Sequence, residues 1–174
     1  MRLRRMSFMV ASLFALLLVT ASARAAEEPT GFRDIPFGAS EAQIREKYPT
    51  ALCRAVAGDE QDDISCSVAS TIGDVPVIVL FRLIGEPTQR HMMNVVLSFK
   101  SEDFDKISQA FTDRYGPPTE VIRQREHLRW LGAKTFMIVN KSTSTVGTGI
   151  ALIGLREYLE LVEKRAKERR EKGK

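Results

Sequence analysis

The side chains that most often carry catalysis or bind metals are few and widely spaced in this chain. Its histidines are His91 and His127, and its cysteines are Cys53 and Cys66. The sequence contains no Gly-x-Ser-x-Gly, His-Glu-x-x-His or glycine-rich phosphate-binding motif, the patterns that expose a serine nucleophile, bind catalytic zinc or hold phosphate. We therefore predict no catalytic residue, metal site or cofactor. A hydrolase would need one of the histidines to converge with Asp or Glu in a cleft.

The two cysteines flank a polar turn at residues 58–63, between apolar segments at 51–56 and 64–69, a pattern typical of a β-hairpin. If the turn is centred between Asp59 and Glu60, opposite positions sum to 119, and 53 plus 66 is 119. The register therefore predicts a cross-strand disulfide between Cys53 and Cys66. A redox-active pair would favour the closer Cys-x-x-Cys spacing.

The same turn is rich in acidic side chains. Asp59, Glu60, Asp62 and Asp63 could bind calcium, but they lack the spacing of a helix-loop-helix calcium site. Because charge clusters are usually solvated, the pattern favours an acidic hairpin tip in water.

A stripe of basic side chains is the strongest candidate for a binding site. Arg123, Arg125, His127 and Arg129 recur at every second position, so an extended strand would carry all four on one face. Such a face suits an acidic protein surface, an anionic glycan or a lipid headgroup. The alternative is a solvated strand face or edge, where charged side chains prevent aggregation.

Helices and strands alternate along the chain in a way that predicts an α+β fold. A capping-box pattern from Ser40 to Gln43 begins a short helix, and a second helix follows Ser101 or Asp103. Further strands are predicted at 75–84, 92–100, 119–130, 134–139 and 148–155, and an amphipathic helix at 155–170. We expect antiparallel meanders with helices on one face, in two tandem α-β-β-β units at about 36–100 and 101–156 plus the C-terminal helix. The alternative explanation of the internal likeness is that helix-to-strand exits often use proline.

The first 25 residues have the pattern of a cleavable signal peptide. Arg2, Arg4 and Arg5 precede an apolar run at 8–19, and small residues follow at once. The run is too short to cross a hydrocarbon layer about 30 Å thick. We therefore expect cleavage after Ala25 or Ala23 by a general secretion route, with residues 26–174 forming one periplasmic or secreted domain. The alternatives are a buried helix or a membrane anchor.

Removal of this segment changes the charge of the chain. The full sequence has 26 basic and 22 acidic residues. Loss of Arg2, Arg4, Arg5 and Arg24 leaves 22 of each, so the mature protein is formally neutral. A general nucleic-acid binder would retain a basic excess to neutralise phosphates. The sequence therefore predicts neither a nucleic-acid partner nor stable membrane insertion after cleavage.

Two short motifs carry a resemblance to known proteins. Phe37-Gly38-Ala39-Ser40 opens a short helix, and Tyr115-Gly116-Pro117-Pro118-Thr119 leads into a meander. In this layout the chain resembles small bacterial envelope proteins of helix-plus-meander build, namely the SmpA/OmlA-type outer-membrane assembly lipoproteins and the β-lactamase inhibitory proteins. The resemblance implies a scaffold that binds a partner, although the chain lacks the lipidation cysteine of the first group.

The leading interpretation is therefore an exported, non-catalytic binding or accessory protein that acts on another envelope protein through a sheet surface. The alternative is a carrier of a small ligand or envelope lipid, with its cavity between sheet and helices. Solid packing around Phe81, Phe99, Phe104 and Trp130 would argue against that carrier.

Overall fold

The structure is a computed structural model of the chain, and it describes residues 28–56, 63–123, 126–142 and 145–172. The predicted signal peptide at 1–25, the tip of the first hairpin at 57–62 and Arg125 of the predicted stripe lie outside the described residues.

The described residues form strands and helices close to the predicted positions. The strands are Gly31–Phe32 (β1), Ile35–Pro36 (β2), Leu52–Ala55 (β3), Ile64–Ile72 (β4), Val75–Ile84 (β5), His91–Lys100 (β6), Glu120–Ile122 (β7), His127–Leu131 (β8), Thr135–Asn140 (β9) and Thr148–Leu155 (β10). The α-helices are Glu41–Lys47 (α1), Phe104–Tyr115 (α2) and Arg156–Lys172 (α3), and a 3-10 turn at Ser101–Asp103 precedes α2. Helix α1 begins at the predicted capping box, in which the backbone of Gln43 donates to the Ser40 side chain and the Gln43 side chain accepts from the Ser40 backbone.

Eight of these strands form one antiparallel sheet in the order β3-β4-β5-β6-β10-β9-β8-β7. Helix α1 precedes β3 to β6, and α2 precedes β7 to β10. Strands β6 and β10 pair at the centre, with Leu97 opposite Ala151. The α+β class is therefore confirmed. Each helix is followed by four strands rather than the three of the predicted α-β-β-β unit. The first set contains the four strands predicted individually, and the second gains one because the chain reverses within the predicted strand at 119–130 and forms β7 and β8.

One face of the sheet forms the hydrophobic core with α1 and α2. Ile44 of α1 and Ile107 and Phe111 of α2 are buried against alternate residues of the central strands. Burial of each large side chain stabilises the fold by about 1.5–3 kcal/mol. The four aromatic residues singled out in the sequence, Phe81, Phe99, Phe104 and Trp130, all belong to this core.

Helix α3 departs from the prediction that the helices share one face. It continues directly from β10, and its Arg165 reaches Asp63 beside the start of β4, with an Nη1–Oδ2 distance of 2.6 Å. To make this connection α3 crosses the ends of β6 and β5. Asn94 and Phe136 point away from the core face, yet their exposed fractions are 0% and 1%. This burial indicates that α3 covers one end of the second face.

The first hairpin has the predicted register. Cys53 lies opposite Cys66, and the two sulfurs are bonded at 1.98 Å. The predicted disulfide is thus confirmed. Because both sulfurs are in this bond, neither is available as a thiolate nucleophile or metal ligand. Among the described residues, no helix has both the length and the apolar character needed to cross a membrane.

Glu28 ties the start of the described chain to the turn between β8 and β9. Its carboxylate accepts hydrogen bonds from the backbone N–H groups of Ala133, Lys134 and Thr135 and from the Thr135 hydroxyl, at 2.7–3.0 Å. These donors favour the charged form. The backbone hydrogen bond from Lys134 is the largest cause, and together the donors lower the pKa of Glu28 from 4.5 to about 2.

Glu28→Gln is expected to lower the free energy of unfolding at neutral pH by about 1–2 kcal/mol, because an amide oxygen accepts the same hydrogen bonds without the charge. The pKa of Glu28 is lower in the folded protein than in the unfolded chain. The stability that its charged carboxylate contributes is therefore complete above pH 4.5 and is lost as the pH falls towards about 2. Urea unfolding of both proteins from pH 7 to 2 measures this. A stability difference that is the same at every pH would contradict it.

Candidate binding surface

The predicted basic stripe does not lie on one strand. Ile122 of β7 is opposite His127 of β8, so the chain reverses between them. Arg123 lies exposed in this turn, and Glu126 completes it with a left-handed φ of 46°. The prediction of one extended face is therefore wrong. Of the four predicted residues, only His127 and Arg129 share a face of a described strand.

Carboxylates compensate much of the positive charge around β8. Arg129 pairs across strands with Glu120, at an Nη1–Oε2 distance of 3.1 Å. Lys141 pairs with Glu126 at 2.5 Å, and the hydrogen bond from this ammonium group to Glu126 raises the pKa of Lys141. His127 and Arg129 are half-buried. This part of the molecule is a mixed-charge rim, and it does not form a uniform cationic patch.

The register of the sheet places these two residues at the border of a larger apolar surface. On the face opposite the core, one row of paired residues crosses all eight strands, and the next row runs beside it. The first row is Leu52, Ser67, Leu80, Val96, Leu152, Ile138, Arg129 and Glu120. The second row is Ala69, Ile78, Ser98, Ile150, Asn140, His127 and Ile122.

We call the large aliphatic members (Val, Leu and Ile) of these rows from β3 to β9 the aliphatic band; β4 contributes none. They are Leu52, Ile78, Leu80, Val96, Ile138, Ile150 and Leu152. The band spans six strands, or about 24 Å at about 4.8 Å per strand.

The aliphatic band is open to solvent. Leu52 is 60% exposed and Ile78 48% exposed, and the other members are half-buried. Grooves of about 340 Å³ and 330 Å³ lie beside Leu80 and Ile78. The uncovered face of an antiparallel sheet is usually polar, and contiguous exposed apolar surface marks interaction sites. This band is therefore the strongest candidate functional surface among the described residues.

The sequence contained a signal for this surface. Strand β5 is apolar at every position except Arg82, a pattern typical of strands covered on both faces, and β6 is apolar at six of its ten positions. Helix α3 covers one end of the second face, and the aliphatic residues away from that end stay open to solvent.

The structure places the two histidines far apart in the sheet. His91 is the first residue of β6. The strand pairing aligns His127 with Ser98, which lies seven residues after His91 in β6. The two histidines are therefore about 23 Å apart along the strand direction alone. The His91 ring contacts the carbonyl of Gln89 at 3.0 Å. Glu41, Cys53 and Cys66 lie close enough together to bind a metal ion. Both sulfurs are bonded to each other in the disulfide, so they are not available as metal ligands.

A scan against protein-family models finds no match, and no curated protein or solved structure matches the chain significantly.

Proposed function

We propose that this protein is an exported, non-catalytic binding protein that acts on another envelope protein through the aliphatic band. The observation that carries the proposal is the solvent exposure of Leu52 and Ile78 on a sheet face where polar residues are the rule. The predicted signal peptide and the Cys53–Cys66 disulfide fit a periplasmic or secreted location.

The dimensions and composition of the band suit a protein partner. A stable protein interface buries about 800 Å² on each side, with an apolar centre and a polar rim. The band provides a rigid apolar centre about 24 Å long. Its rim carries both signs of charge, including Arg54 at one edge and the Arg129–Glu120 pair at the other. A partner with an apolar patch and mixed charges at its border would be complementary.

The same proposal includes a tandem origin for the scaffold. Helix α1 with β3–β6 forms one set, and helix α2 with β7–β10 forms another. The two sets meet at the β6–β10 pair, as the halves of an internal repeat would. Two tandem units are what the resemblance to the β-lactamase inhibitory proteins implies, and they create a sheet wide enough for one continuous binding face.

Two other functions have less support. A carrier of a diacyl lipid would need a large cavity among the aromatic residues between sheet and helices, but Phe81, Phe99, Phe104 and Trp130 are buried within one core. A hydrolase would need His91 or His127 beside an acid in a cleft; the two histidines lie far apart in the sheet, so they do not share one site.

Ile78→Asp is expected to weaken partner binding by about 30-fold or more, because it places an unpaired charge in the centre of a desolvated interface. Val121→Asp is the matched control: Val121 is 49% exposed against 48% for Ile78, but it points to the other face of the sheet. Both changes carry a similar strand-propensity cost of up to about 1 kcal/mol. Capture of an envelope protein by oxidised bait, followed by titration of the purified partner, measures the difference.

Charge reversal at Arg123, Arg125 and Arg129 tests the contribution of the predicted stripe in the same assay. If these charges steer the approach of the partner, their reversal should lower the association rate with little change in thermal stability. If the Ile78→Asp and Val121→Asp variants bind the partner with equal affinity, the aliphatic band is not the binding surface. If the charge-reversal variant associates with the partner at the wild-type rate, the predicted basic stripe is not part of that surface.

A further inference from the structure

A separate pocket lies on the core side of the sheet, away from the aliphatic band. It has a volume of about 280 Å³ and opens between α2, the β1–β2 hairpin and the turn that joins β4 to β5. Its floor is Ile153, which is 1% exposed. Its apolar walls are Phe32, Ile72, Ala110 and Phe111.

Two guanidinium groups line this apolar pocket. Arg33 lies 5.7 Å from the centre of the Phe32 ring, and Arg114 lies 5.4 Å from that of Tyr115. Both arginines are exposed, and neither forms an ion pair with a carboxylate of the described residues. Stacking on the rings orients both groups, so the pocket has two positioned positive charges, of which Arg33 interacts with the Asp34 carboxylate only through the longer-range charge attraction.

The acidic residues next in sequence to these arginines have other partners. Asp34 pairs with Lys47 at 2.8 Å, and Asp113 accepts a hydrogen bond from Gln109 at 2.7 Å. The local charges are therefore arranged so that both guanidinium groups remain available to an external anion.

The backbone at Arg33 is strained in a way that favours a role for its side chain. Arg33 has a φ of 54° at the first position of the two-residue β1–β2 turn, a conformation that glycine adopts at much lower cost. Its side chain donates a hydrogen bond to the carbonyl of Thr71, across the pocket opening. Strained non-glycine residues concentrate at binding and catalytic sites.

We infer that this pocket binds a small amphiphile with one short apolar tail and a carboxylate or phosphate head. The tail would occupy the space above Ile153, and the head would lie between Arg33 and Arg114. A volume of about 280 Å³ is at the small end of ligand pockets, so a single short chain fits this site better than a diacyl lipid. The inference is independent of the proposed function, because the pocket and the aliphatic band lie on opposite faces.

Amide chemical shifts of the oxidised protein during titration with decanoate and with decyl phosphate test this inference. Saturable shifts are expected at Ile72, Gly73, Ala110 and Arg114. Arg114→Gln and Arg33→Gly should each weaken binding by about fivefold, the range of an exposed ion pair. Arg33→Gly also relieves the turn, so its effect is separable from misfolding. Arg54→Gln removes an exposed guanidinium from the other face and should leave the affinity unchanged.

Uncharged decanamide should bind at least about fivefold more weakly than decanoate. Phosphatidylglycerol vesicles offer the same phosphate head chemistry on a lipid with two acyl chains. These vesicles should not shift the amide signals of the pocket. The inference is overturned if decanoate shifts residues elsewhere, if decanamide binds equally well, or if Arg54→Gln weakens binding as much as Arg114→Gln does. If the vesicles shift the same amide signals, the inference that the ligand has a single apolar tail is overturned. None of these results depends on the partner-binding titration with Ile78→Asp.

Discussion

Replacing Arg165 with alanine is expected to lower the free energy of unfolding by about 3–5 kcal/mol, because it leaves a buried carboxylate without its partner. The Asp63 side chain is 2% exposed and that of Arg165 17% exposed, and both guanidinium nitrogens face the carboxylate, at 2.6 and 3.4 Å. Urea unfolding of the oxidised protein measures the loss. A change below about 1 kcal/mol would contradict a buried, structure-forming pair.

Two matched variants separate the charge from the contacts of the long side chain. Arg165→Lys keeps the charge but loses the two-pronged geometry, so it should recover only part of the stability. The double change Asp63→Asn with Arg165→Met removes both charges and should recover most of it, because replacing a whole buried pair is often near neutral. Hydrogen exchange adds a local readout: in Arg165→Ala the amides of α3 should exchange faster than those of β5 and β6.

Removal of the disulfide by Cys53→Ala with Cys66→Ala is expected to cost about 3 kcal/mol. The bond joins positions 13 residues apart, and in the chain-entropy model a loop of about 15 residues contributes about 3 kcal/mol by restricting the unfolded chain. Urea unfolding of wild type and variant measures the effect.

Reduction of the wild-type protein should reproduce this loss, and reductant should leave the double variant unchanged. Non-reducing mass spectrometry of the wild type should find the Cys53–Cys66 cross-link. A stability loss below about 1 kcal/mol, or a free thiol at either position, would contradict a structural role for the bond.

The first hairpin was predictable because its determinants are local. A polar turn separates two short apolar segments, and a symmetric turn fixes the pairing of every position. That pairing, with Arg54 opposite Ser65 and Ala55 opposite Ile64, aligns the cysteines. The start of α1 was predictable for the same reason, since its capping box lies within four residues.

The reversal between β7 and β8 was not predictable in the same way. Its turn contains Arg123 and Glu126 and lacks the glycine, proline and asparagine residues that usually mark one. Glu126 has a left-handed φ. Its backbone N–H donates a hydrogen bond to the Arg123 carbonyl at 3.1 Å, which closes the turn. The alternation of basic residues continued through this turn, so the period-two pattern predicted a longer strand than the chain forms.

Long-range contacts explain the remaining differences. Glu28 binds a turn more than 100 residues away, and Arg165 reaches an aspartate 102 residues earlier. Neither pair has a spacing that marks it in the sequence. The apolar character of β5 and β6 was evident, but which of their residues would stay exposed depended on where α3 packs.

Site-specific photo-crosslinking in living cells tests the central claim most directly. A benzophenone side chain is placed at position 78 in the aliphatic band, or at position 121 on the opposite face of the sheet. Our account predicts that the probe at 78 forms a discrete cross-link to one envelope protein, which mass spectrometry identifies, and that the probe at 121 does not. No cross-link at 78, or the same product with equal yield at both positions, would contradict binding through this face.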